Sequence, residues 1–347
     1  MTTTQTSKSK RGLVLAFTTL TALLLVVIAV SFCLGNYSVP VGQVANILFG
    51  TVFHQPVDAP AAAVTVIWQI RLPRIIAAIL IGGALSVAGS TYQGIFKNPM
   101  VSPDLLGASA GAGFGAALGL LFGLSMIEVS TLAFAIGIAA VFLAYGISLV
   151  INRRSHDLLV LVLTGIVVSS LFTACTSFVK YSADPNSKLP AISFWLMGGL
   201  GAITNTNLLY LCVPIIVGMV PIFLLRWKLN LLAFDEDEAK SMGVPVSTYR
   251  VIFIVCATLM TAVSVAFGGV IGWIGLLVPH VSRIIVGPNQ KYAIPASLLI
   301  GAGLLILFDD VARCLFATEI PLGIVTAIIG APVFIVVLFS SRRRLTY

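Results

Sequence analysis

Stretches of about twenty apolar residues recur along the whole chain, and this feature restricts its architecture more than any other. A helix of that length rises roughly 30 Å, the thickness of a bilayer's hydrocarbon core. Inside lipid every backbone N–H and C=O needs a partner within the protein, which leaves only helices and closed barrels. The runs are continuous rather than alternating, so helices are expected and a barrel is not. The charge content agrees. Only 9% of the residues are charged and 59% are hydrophobic, whereas about a quarter of a soluble domain is charged. A chain this apolar has too little polar surface to face water on all sides.

Pro, Gly and charged residues divide the chain into about ten spans, near 13–34, 70–92, 105–123, 129–151, 158–180, 207–225, 250–268, 271–286, 292–309 and 320–340. The first follows Lys8, Lys10 and Arg11. It is longer than a signal-peptide core, shows no small-residue cleavage site, and places Phe32 before Cys33, which does not suit lipoprotein processing. It therefore reads as an uncleaved helix. Of the 20 Lys and Arg, only Arg71, Arg74, Lys180, Lys188 and Arg313 fall outside when the N-terminus is set inside. The positive-inside rule then puts both termini in the cytoplasm. The expectation is one transmembrane domain over 1–347, with cytoplasmic tails at 1–12 and 341–347 and a cytoplasmic segment at 226–249. None of the connections could hold a soluble domain, so any energy-coupling domain must be a separate chain.

Several chemistries find no support. The net charge of +8 is scattered singly between spans, which is a topology signal and not a nucleic-acid face. Cys33, Cys175, Cys212, Cys256 and Cys314 lie in apolar runs without metal-ligand spacing and read as small buried hydrophobes. His54, His156 and His280 are far apart, and no P-loop occurs, so neither metal, cofactor nor nucleotide site is expected. Gly111-Ala-Gly113 faintly echoes a dinucleotide fingerprint, but no strand precedes it and Ala116 takes the third glycine's place. Gly107, Gly111, Gly115 and Gly119 instead form a stripe at four-residue spacing, along which a neighbouring helix can approach closely.

Two groups of polar residues stand out. In the cytoplasmic segment, Asp235 can cap a short helix, with Glu236 and Glu238 in its first turn. That helix continues through Ala239, Ser241 and Met242 and stops at Gly243 before Pro245. Such a knob suits docking to a cytoplasmic partner, against the plainer reading of a solvated connector. At the outer side, Arg71 and Arg74 flank Leu72-Pro73, and Asp309 and Arg313 have the i,i+4 spacing of a helix-face pair. Snorkelling anchors are the plain alternative for the first two.

The residues Arg71-Leu-Pro-Arg74, Gln93 through Gly107, Trp195-Leu-Met-Gly-Gly199, Leu229-Asn230 through Gly243, Val278-Pro-His280 and Pro321-Leu-Gly-Ile-Val-Thr326 jointly resemble the permease subunits of ABC importers for iron-siderophores, haem and cobalamin (FecCD-type). The likeness runs from about residue 70 to the C-terminus. It implies the type II importer permease fold, ten helices with an inverted repeat of helices two to five against seven to ten, and two copies around a central pathway. It further implies that Asp235 to Gly243 is a coupling helix seated in one of two cytoplasmic ATPase subunits, although Phe234-Asp235 departs from the family's usual Leu-Gly. By the same resemblance, Arg71, Arg74 and Arg313 receive acidic residues of an extracytoplasmic substrate-binding protein. The loop Asn98-Pro99-Met100 narrows the inner end of the pathway, where Pro99 and Pro103 stiffen it.

The expected function is therefore an ATP-driven importer's permease in a bacterial or archaeal cytoplasmic membrane, surrounded by lipid, with ferric siderophore or haem as cargo. Cobalamin or an oxyanion is the alternative cargo. A secondary transporter would need coupling carboxylates near mid-membrane, and Asp309 and Asp310 are the main candidates. A membrane enzyme would need a cluster of His, Asp or Cys, which the sequence does not display.

Overall fold

The computed structural model describes residues 10–151, 158–232, 245–316 and 318–343. Every regular element among them is helical. In chain order these are α1 Lys10–Cys33, α2 Val41–Val52, α3 Ala61–Ile95, α4 Ala108–Leu121, α5 Met126–Ile151, α6 Leu158–Ser182, α7 Lys188–Leu196, α8 Asn205–Leu225, α9 Lys228–Leu231, α10 Val246–Gly268, α11 Ile274–Val286, α12 Gln290–Cys314 and α13 Leu322–Arg343. Seven of them (α1, α3, α5, α6, α8, α10 and α12) are long and apolar enough to cross a bilayer. The shorter apolar helices α4, α11 and α13 fall where the third, eighth and tenth spans are expected.

The expected second span is longer than its sequence signal. Pro73 lacks an N–H and its ring crowds the carbonyl one turn earlier, which reads as a helix start. The chain instead opens the turn Val66–Arg71 into a π-helix just before Pro73, and the helix begins at Ala61. A widened turn gives the proline ring room, so no break is needed.

Helix α3 is the axis of the molecule. Its most apolar window is 78% buried, against 6% for α1 at the periphery. Lipid tails are as apolar as leucine, so contacts between helices must come from close packing rather than from the hydrophobic effect. Glycines supply that closeness. A Cβ on Gly82 would lie 2.3 Å from the Gly301 carbonyl oxygen of α12, and one on Gly89 would lie 1.9 Å from the Gly275 oxygen of α11. On α4, Gly111, Gly115 and Gly119 meet α5, where an added Cβ would come within 2.6 Å of Ala140, 2.7 Å of the Leu132 oxygen and 3.1 Å of Val129. Gly107 has a different part. It closes the 3₁₀ turn Pro103–Leu106 at φ 90°, a conformation that L side chains resist, and starts α4 from there.

Gly89→Ala is expected to destabilise the protein by about 1–3 kcal/mol through overpacking at the α3–α11 contact. Gly42→Ala, in open space on α2, leaves stability unchanged. Thermal unfolding in detergent compares the two.

Candidate functional site

Three polar assemblies interrupt this apolar bundle. The first joins α3, around and just past its π turn, to the end of α12. Arg74 donates from Nε to both oxygens of Asp309 at 2.8 Å, and from Nη1 to Glu319 at 2.8 and 3.0 Å. Arg313 lies 3.7 Å from Asp309 through Nε, the i,i+4 pair expected from spacing. Its Nη2 also donates to Asp310 and to the Ser31 carbonyl, the latter at 2.8 Å. Ser31 in turn donates to Asp310 at 2.7 Å, which ties α1 to α12. Arg71 donates to the carbonyls of Phe32 and Tyr37, satisfying the orphan end of α1.

The three arginines expected to receive a binding protein are already engaged within this chain. Arg71, Arg74 and Arg313 are 2%, 4% and 5% exposed, and each is engaged by its own chain. Charge so deep in a bundle needs acidic partners or hydrogen bonds: Arg74 and Arg313 are paired with Asp309 and Asp310, and Arg71 is met by two backbone carbonyls. The group that reaches solvent is Glu319, whose side chain is 49% exposed. It sits beside Arg74 in a cavity of about 370 Å³ walled by Phe194, Trp195 and Phe267. Gly201 makes room for the pair, since a Cβ there would lie 3.1 Å from Glu319 Oε2. Just past α6, the amide of Ser187 donates to the Asp184 carboxylate at 2.9 Å, and the Ser187 hydroxyl donates too; these bonds hold its pKa below the ordinary value.

The second assembly is a groove of about 580 Å³ on the flank of α6. Its lining includes Ser102, Asp104, Ser169, Ser170, Thr173 and Ser177. Ser170, Thr173 and Ser177 are spaced i, i+3, i+7 and form one exposed stripe, beside an apolar face of Leu163, Val167, Leu171 and Phe178. Each hydroxyl gives its proton to a helix carbonyl one turn back, Ser170 to Ile166 at 2.9 Å, Thr173 to Ser169 at 2.8 Å and Ser177 to Thr173 at 3.0 Å. Oxygen lone pairs therefore face the groove, ready to accept hydrogen bonds. Asp104 already accepts from Ser109 at the start of α4. The stripe escaped the sequence reading because single Ser and Thr within a span carry no signal until their common face is drawn.

The third assembly lies at the opposite end of α3. Asn98, Pro99 and Met100 are exposed in the loop after α3, with Asn98 Oδ1 accepting from the Met100 amide at 2.9 Å. Gln93, one turn from the end of α3 and 4% exposed, donates to the carbonyls of Val101 at 3.1 Å and Leu276 at 3.3 Å, and accepts from Arg283. Pro103 presses on Gly275, where an added Cβ would be 2.3 Å away. The segment from Asp235 through Glu236, Glu238, Ala239, Ser241 and Met242 to Gly243 lies outside the described residues. Among the described residues, no three His, Cys, Asp or Glu are grouped to hold a metal ion.

Comparison with known proteins agrees with this architecture. The model of the FecCD transport family matches residues 23–340. The molybdate import system permease protein MolB of Haemophilus influenzae is 39% identical over 324 residues, 93% of this chain and 95% of that protein. An iron chelatin transport system permease of Helicobacter pylori is 37% identical over 278 residues, 80% of this chain and 83% of that one. Among solved structures, an inward-facing conformation of a metal-chelate type ABC transporter superposes with a TM-score of 0.84 at 37% identity, covering 94% of this chain and 99% of that one.

Arg74→Met leaves Asp309 without its bidentate partner and is expected to cost about 3–5 kcal/mol, with part recovered when Asp309→Leu is added. Glu319→Gln, at a half-exposed pair, costs less than about 1 kcal/mol. Denaturant unfolding in mixed micelles measures all three.

Proposed function

The chain belongs to the FecCD transport family, and from that premise we propose that it moves a metal chelate, ferric siderophore or haem, along the hydroxyl groove of α6. It is a multi-pass ABC importer permease and not an enzyme, in keeping with the permease names of its relatives. The groove carries the finer reading. A carboxylate such as Asp104 cannot rest against lipid tails at low cost, so the groove it lines faces either water or another protein. In the proposed assembly a second copy stands across the groove and the space between them is wet.

The chemistry of the wall bears on the cargo. Its hydroxyls present acceptors, and Asp104 adds a carboxylate. No Lys or Arg is among the described residues lining it. A bare oxyanion, which has only acceptors, would meet few donors there, the Ser102 hydroxyl among them, and the Asp104 carboxylate would repel it. A chelate whose metal charge is wrapped in an organic ligand, with its own N–H and O–H groups and hydration, fits better. The oxyanion reading keeps one support, the 39% identity to the molybdate permease of Haemophilus influenzae. Asp309 and Asp310 give little to a secondary-transport reading, because buried arginines already neutralise both.

In the same proposal, two ATPase subunits engage the segment Asp235–Gly243 from the cytoplasm, and the loop at Asn98, Pro99 and Met100 forms the inner gate. ATP-driven motion of the coupling segments shifts the pair of permeases between outer and inner openings. A binding protein docks at the opposite end. Because Arg74 is covered, an acidic residue of that partner reaches it by exchanging with the half-exposed Glu319. Arg71 and Arg313 then act behind it, holding the surface in shape.

Proteoliposomes containing the permease, its ATPase and a loaded binding protein are expected to accumulate radiolabelled iron chelate only with ATP, and molybdate not at all. Uptake without the ATPase chain, or of molybdate alone, contradicts the reading. Replacing Ser170, Thr173 and Ser177 together by leucine should dewet the groove and lower uptake by about tenfold, while the melting temperature stays unchanged.

A further inference from the structure

The inner end of the molecule holds a chain of side-chain amides that packing alone does not require. Asn230 lies on the short helix α9, shortly before the chain enters the segment proposed to meet the ATPase. Its Oδ1 accepts from the backbone N–H of Gln290 at 2.9 Å, and its Nδ2 donates to Asn289 Oδ1 at 3.0 Å. Asn289 also accepts from the Lys291 amide and so caps α12. Gln290, 8% exposed, turns its own side chain inward, where Oε1 accepts from Ser90 of α3 at 3.2 Å. Ser90 is fully buried. One turn further along α3 is Gln93, which holds the far side of the Asn98–Met100 loop through Val101 and grips α11 through Leu276 and Arg283.

We propose that Asn230, Gln290, Ser90 and Gln93 form a strut that carries displacement of the 228–232 segment to the loop at 98–101. This inference rests on the proposed gate and on the proposed ATPase contact, and adds the residues that connect them. The physical case has three parts. Each member except Asn230 is nine-tenths or more buried, so breaking a bond leaves a polar atom without water to replace its partner. The last two turns of α3 are a continuous helix, stiff over that length, so Ser90 and Gln93 move together. Gln93 spends both its amide groups, donating to two carbonyls on different elements and accepting from Arg283, which leaves it no freedom to reorient alone. A displacement of α9 must therefore either break its bonds to Asn289 and Gln290 or carry the start of α12, and with it the end of α3, along.

Capping of α12 is the competing role for Asn230, and the experiment must separate the two. Hydrogen–deuterium exchange is followed on peptides covering 98–107 in the complete transporter, with its ATPase subunits, nucleotide-free and with ATP trapped by vanadate. Asn230→Ala and Gln93→Leu are each expected to abolish the nucleotide-dependent change in exchange at 98–107, while ATP hydrolysis persists. The double variant should be no worse than either single one, because the residues act in series. Asn230→Asp, which still accepts from the Gln290 amide, should restore the response.

Variants whose 98–107 peptides respond to nucleotide as the wild type does would overturn the strut alone. Loss of ATPase co-purification in Asn230→Ala places that residue in docking and equally overturns transmission through it. A wild-type loop indifferent to nucleotide sinks the gate reading, and the strut falls with it.

Discussion

Close approach of helix backbones at α3 is the constraint on which the rest of the structure depends. In lipid the burial of one leucine against another contributes little, so a bundle holds together where surfaces fit closely and polar groups find partners. The Gly82–Gly301 and Gly89–Gly275 crossings bring α12 and α11 onto α3 at distances that no side chain would permit. Two of the three polar assemblies are then organised by the elements that α3 brings together. Toward one end the turn after its π segment delivers Arg74 to Asp309. At the other its last turns deliver Ser90 to Gln290 and Gln93 to the loop before α4.

The two ends use different chemistry. The Arg74, Arg313, Asp309 and Asp310 cluster pairs full charges, which is costly to bury and costlier to disrupt. That suits a junction that stays shut within one subunit, with the half-exposed Glu319 as its accessible edge. The inner end uses amides and a hydroxyl. Neutral hydrogen bonds of this kind are weaker individually and exchange partners at lower cost, which suits a region expected to move during each transport cycle. Arg283 is the exception there, and it donates to the Gln93 amide oxygen.

Between these ends lies the hydroxyl groove. Its serines and threonines satisfy their protons on their own helix, so the wall is polar without being sticky. In the proposed role as a pathway, such a wall must release what it admits, and weak acceptors meet that demand better than a ring of charges. Similar permeases are named for different substrates, molybdate and an iron chelate among them.

What the sequence determined by itself follows from period and solvent. Runs of about twenty apolar residues, their punctuation and the sorting of Lys and Arg were enough for a helical membrane protein of about ten spans, because lipid leaves the backbone no other option. The i,i+4 pairing of Asp309 with Arg313 was legible too, since it lies within one helix. Tertiary structure alone decided the rest. Arg74 finds Asp309 and Glu319, more than two hundred residues away, and so turns inward where local sequence indicated a surface. The π turn ahead of Pro73 extends α3, which no propensity of Val66 to Arg71 announces. Ser170, Thr173 and Ser177 form a wall, and Asn230, Gln290 and Gln93 form a series, only once separate helices are set side by side. The reason is the same in each case: a long-range polar pair is specified by the meeting of two helices, and neither helix carries the other's address.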